Sequence, residues 1–121
     1  MAAAGMVMFA ACRKEDQAGK GGKAVLKITP RHHNKNIDSC TVYLKYNTQN
    51  LPADFRFDDS AKCVPEGDKP VATFSGLKKG DYYIYGKGWD TTIAQEVVGG
   101  TPYTIKEETT QSYNISVTEG D

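Results

Sequence analysis

Short stretches of alternating apolar and polar side chains recur along most of this chain, separated by glycine, proline, asparagine and aspartate. Alternation with period two marks a strand with one buried face. Residues 24–29 put Leu26 and Ile28 on one side and stop at Pro30, which lacks a hydrogen-bond donor. Residues 32–38 read as a polar turn. Residues 40–46 align Val42, Leu44 and Tyr46, residues 71–74 end in Phe74, and residues 82–88 put Tyr82 and Ile84 inward. Residues 95–98 and 103–106 flank Gly99-Gly100-Thr101-Pro102, a composition that predicts a turn. Residues 112–117 direct Tyr113, Ile115 and Val117 inward. The connection 47–69 is long and polar, broken by Pro52 and Pro65, with Phe55 and Phe57 as a short strand or apolar plug inside it. No segment sustains a helical period, and no internal repeat is visible. About seven short strands with punctuated turns predict an all-β fold, a single antiparallel β-sandwich.

The most informative stretch runs from Phe74 to Gly86. Phe74 ends one strand, Gly76 and Gly80 permit backbone angles that a Cβ penalises, and Leu77 drops into the core between them. Tyr82 opens the next strand, where it can bury its ring and return its hydroxyl to a nearby backbone group.

The pattern F-x-G-L-x-x-G-x-Y, carried by Phe74, Gly76, Leu77, Gly80 and Tyr82, resembles carboxypeptidase-regulatory-like and transthyretin-like β-sandwich domains. The resemblance covers residues 23–118 in strand pattern and this one turn in motif. The wider wording, with Arg31-His32-His33 before a strand and Lys78-Lys79-Gly80-Asp81-Tyr82-Tyr83 later, resembles small lipoproteins of Bacteroidota-type bacteria. These likenesses imply a fold and a location, and no settled activity.

Residues 1–11 are small and apolar, Cys12 follows, and the charged run Arg13-Lys14-Glu15-Asp16 comes next. This is similar to the end of a lipoprotein signal peptide, with Phe9-Ala10-Ala11-Cys12 as the lipobox. Phe9 stands where leucine is usual, and a basic leading region is missing. The apolar run is shorter than the ~20 residues a membrane span needs. The reading is a signal-peptide remnant at 1–11, a lipidated Cys12 with a flexible tether over 12–22, and a sandwich over 23–121. The protein is then lipid-anchored in the cell envelope, on the periplasmic face or the cell surface. The plain alternative is a cytosolic protein with a frayed apolar start.

With Cys12 given to lipid, Cys40 and Cys63 remain, and an oxidising compartment favours one disulfide between them over two separate thiols. The formal net charge is zero, so no global field draws the chain to nucleic acid. Seven basic residues between Arg13 and Lys35, against Glu15 and Asp16, read as a solvated tether and sheet edge or as attraction to anionic lipid.

His32 and His33 are the only histidines. Neighbours on a strand point to opposite faces, so they share a metal only if the backbone turns there, with Asp38 as a third ligand. Asp54, Asp58, Asp59, Glu66 and Asp68 read as a solvated acidic loop, without calcium-loop spacing. Tyr83, Tyr85 and Trp89 share the face opposite Tyr82 and Ile84, an aromatic strip for a glycan or a protein partner unless the long loop covers it. No nucleophile elbow, zinc-protease motif or phosphate loop is present. The expectation is a non-catalytic envelope module with no cofactor. It would serve as an accessory binding or structural domain for envelope proteins or glycans, or alternatively as a metal binder through His32 and His33.

Overall fold

The computed structural model describes residues 17–37 and 39–119. The lipobox, Cys12 and Asp38 lie outside them. Nine strands form two sheets packed face to face: β1 (Lys20–His32), β2 (Lys35–Asn36), β3 (Ser39–Tyr46), β4 (Asp59–Lys62), β5 (Val64–Glu66), β6 (Lys69–Leu77), β7 (Gly80–Asp90), β8 (Gln95–Ile105) and β9 (Thr110–Ser116). Among the described residues no helix is long and apolar enough to cross a membrane. One sheet has the order β2-β1-β6-β5, with β9 also paired to β1; the other has the order β4-β3-β7-β8. Every pairing is antiparallel except β1 with β9, which run parallel from Val25 opposite Thr110 to Arg31 opposite Ser116.

The period-two pattern accounts for the core. Leu26 and Ile28, Val42 and Leu44, Ala72 and Phe74, Tyr82 and Ile84, and Ile105 and Ile115 all bury their side chains between the sheets. Each fully buried aliphatic or aromatic side chain adds roughly 1.5–3 kcal/mol. A smaller cluster of Ile37, Cys40, Val97 and Val117 closes one end. The turn before β7 is built as its sequence foretells. Gly76 and Gly80 take φ of 70° and 141°. The buried Tyr82 hydroxyl donates to Lys78 O at 2.7 Å and accepts from Gly19 N–H at 2.9 Å.

Four expectations are corrected. There are nine strands instead of about seven, because the long connection supplies β4 and β5 and the hairpin after β1 supplies β2. The Gly99-Gly100-Thr101-Pro102 segment is no turn: β8 runs straight through it, paired to β7 from Gln95 to Ile105. Close packing is the reason for its glycines. A Cβ on Gly99 would lie 2.0 Å from Ser116 O, and one on Gly100 would lie 2.6 Å from the Tyr83 hydroxyl. Pro102 is tolerated because β8 is an edge strand. Tyr113 is 39% exposed rather than inward, its ring against Tyr103. Finally, Cys40 and Cys63 are brought together on β3 and just after β4, with Cys63 N–H donating to Cys40 O at 2.9 Å, but no disulfide joins them. The thiols hydrogen-bond instead, which holds Cys63 below its usual range, and Cys40 Sγ also donates to Ile37 O. Ala18 is buried, and β1 starts at Lys20.

Candidate functional site

Two places gather the residues that sequence singles out: one end of the sandwich, at the histidines, and the outer face of the four-stranded sheet.

The histidine end starts with a tight hairpin. His32 pairs with Lys35, leaving His33 and Asn34 as the two central residues. Both have positive φ, 52° and 64°. A two-residue loop with both centres left-handed is the turn whose twist matches paired strands, and asparagine suits it well. The backbone therefore does turn at the histidines. His33 is returned to the side of His32, their ring centroids 4.1 Å apart, instead of facing away along an extended strand.

His32 is buried, 2% exposed. Its Nδ1 lies 2.7 Å from Asp90 Oδ2 and its Nε2 lies 2.9 Å from Glu119 Oε1. Both carboxylates arrive from far along the chain. Asp90 is the last residue of β7, held by an aspartate turn in which its Oδ1 accepts from Thr92 N–H at 2.9 Å and the Thr92 hydroxyl at 2.6 Å. Glu119 is delivered by the parallel β1–β9 register, continued by Val117 N–H donating to Arg31 O and by the Val98–Thr118 bridge. The Thr92 hydroxyl first, and His32 next, hold the Asp90 carboxyl well below the usual carboxylate range. Its own backbone N–H first, and His32 next, lower Glu119. His32 is raised, chiefly by Asp90, against the opposing effect of burial.

Beside this constellation opens a pocket of about 390 Å³, walled by Arg31, His33, Asn34 and the segment from Asn114 to Thr118. The Arg31 guanidinium donates to Asn34 O. Its buried Nε has no acceptor among the described residues.

The aromatic strip is only partly assembled as foreseen. Tyr85 is its centre, but its neighbours are Tyr43, across the β3–β7 pairing, and Phe55 and Phe57 from the loop between β3 and β4. Phe57 stacks on Tyr85 at 5.5 Å and 17°, and Phe55 meets it edge-on at 5.9 Å. The loop thus covers part of the sheet and adds rings of its own, leaving Phe55 56% exposed. Tyr83 leans over Gly100, and Trp89, 47% exposed, lies apart near Thr91 and Thr92. The acidic loop does not converge: Asp59 pairs with Lys20, Glu66 with Lys27, and Asp58 with Lys45 and the Tyr46 N–H.

Sequence reasoning missed Glu119 and Asp90. Nothing local marks Glu119, 87 residues from His32 in the chain; Asp90-Thr91-Thr92 is legible as an aspartate turn but not as a histidine partner. No protein-family model, no curated protein and no solved structure matches this chain.

Proposed function

We propose that this chain is a non-catalytic, lipid-anchored protein of the cell envelope that carries a transthyretin-like or carboxypeptidase-regulatory-like sandwich as an accessory binding module. Cys12 after Phe9-Ala10-Ala11 supports the anchor, and the turn built on Phe74, Gly76, Leu77, Gly80 and Tyr82 supports the kind of domain. The binding role rests on one observation, the half-open cluster of Tyr43, Phe55, Phe57 and Tyr85 on the outer sheet face.

Leaving several aromatic rings together at a surface forfeits burial that each could have had, so such a patch marks a contact site. Its rim is polar, with Asp58, Asp59 and Ser60 on one side and Lys87 on the other. Rings that accept the C–H faces of a sugar, edged by groups that bond its hydroxyls, suit an envelope or extracellular polysaccharide.

Two experiments test this. In the source cells, the wild-type chain should sediment with membranes and carry acyl mass on Cys12, and Cys12→Ala should move it to the soluble fraction. Affinity electrophoresis of the purified full chain through gels of soluble polysaccharides should show retardation, and Phe55→Ala or Tyr85→Ala should weaken it at least about tenfold. Membrane association without any retardation would keep the anchor and remove the glycan.

A further inference from the structure

The histidine end carries a site distinct from the aromatic face. We propose that His32 Nε2, His33 and Glu119 bind a late first-row divalent metal such as Cu(II), Ni(II) or Zn(II), with Asp90 as the positioning partner of His32. One ligand atom from each of the three residues lies within 4.8 Å of the others. The donors are two imidazoles and a carboxylate, a set suited to these ions more than to magnesium or calcium.

The pairing of His32 is that of a metal ligand. A ligating histidine almost always donates its other ring N–H to a carboxylate or carbonyl, which fixes the tautomer and aims the free nitrogen. Here Asp90, itself fixed by Thr92, takes Nδ1, and Nε2 is aimed at Glu119 beside the open pocket. The 2.9 Å between Nε2 and Glu119 Oε1 sets an angle. With bonds of about 2.0–2.1 Å, the two donors subtend roughly 90° at the ion. That suits square-planar or octahedral Cu(II) and Ni(II) as it stands, whereas tetrahedral Zn(II) needs the pair to open to about 3.3 Å. The pocket along Asn114–Thr118 leaves the remaining positions to solvent or a small ligand.

A purely structural reading explains less. A histidine clamped between two carboxylates could simply staple β1, β7 and the C-terminal segment. It accounts for Asp90 and Glu119 but not for His33. That ring is exposed, on a left-handed residue that is not glycine, and is turned back beside His32.

The test uses the full chain with Ni(II) alone and Zn(II) alone. The chain has two histidines, so their ring-proton resonances report on this site only. Substoichiometric paramagnetic Ni(II) should broaden both together, and calorimetry should give one ion per chain. His33→Ala, a surface change that spares the fold, should weaken Ni(II) binding at least about tenfold, and Asp90→Asn about 10–100-fold. Glu119→Gln should weaken it as well. Broadening of His33 alone, absence of broadening, or affinity unchanged in His33→Ala and Glu119→Gln would each overturn the site and leave the staple.

Discussion

Held between two carboxylates, His32 keeps its proton to a pH above its ordinary 6.5, because Asp90 accepts from Nδ1 and Glu119 from Nε2. A group whose pKa is raised on folding adds stability below its ordinary value and loses it as pH climbs through the raised one. Asp90 and Glu119 are lowered, so their contribution is present above the ordinary carboxylate range and lost on acidification. The metal-free protein should therefore be most stable between the carboxylate range and about pH 6.5, and should melt at falling temperature as pH rises further. Glu119→Gln should flatten that alkaline slope; thermal melts from about pH 4 to about pH 9 read both, and a wild-type midpoint that rises above about pH 6.5 contradicts the assignment. Tyr82 offers a second test at this scale. Tyr82→Phe keeps the ring but strands Lys78 O and Gly19 N–H, two backbone groups the hydroxyl now satisfies. Urea denaturation should show a loss of about 1–3 kcal/mol.

Edge strand β8 shows how tertiary packing overrides a local signal. Two consecutive glycines before Thr-Pro are turn composition by any local rule, yet the segment stays in register with β7 because Ser116 and Tyr83 occupy the space that side chains would take. Gly99→Ala should cost more than about 2 kcal/mol in urea denaturation, since its Cβ meets backbone that cannot swing away. Gly67→Ala is the control: nothing lies within 4 Å of its Cβ, and only its φ of 66° is strained, so the loss should stay near 1 kcal/mol. A loss at Gly99 no larger than at Gly67 would mean that close packing against Ser116 does not select the glycine. The strands themselves were legible wherever alternation met a burial face, as at Leu26, Ile28, Val42, Leu44, Tyr82 and Ile84. The Tyr82 corner was legible because its turn is short. The glycines of β8, the parallel pairing of β9 and the arrival of Glu119 were not, because each depends on a neighbour far away in the chain. The two histidines stood out by type alone; only the left-handed angles at His33 and Asn34 decide that they meet.

At the scale of the molecule, β1 links the two proposals. It enters the fold at Lys20, beside Gly19 and the turn before β7, where Lys78 N–H donates to Gly19 O, and it leaves at His32. The strand bulges at its start, where Lys20 and Ala24 both lie opposite Leu77, so its regular run from Ala24 to His32 at about 3.3 Å per residue puts those ends roughly 26 Å apart, still beyond the ~10 Å over which headgroup charge acts. A chain tethered at Cys12 would thus hold its anchor-proximal end, with Lys79, at the membrane and point the histidine end away from it, open to whatever supplies the metal. The geometry makes a distance prediction. In vesicles carrying the acylated protein, a spin label at Lys79→Cys should shorten lipid headgroup relaxation, and Ni(II) bound at His32 and His33 should leave it unchanged. If bound Ni(II) relaxes the headgroups instead, the sandwich lies on its side against the bilayer. Basic residues of β1 such as Lys23 and Lys27 would then be membrane contacts rather than solvated charges on the outer face of the sheet.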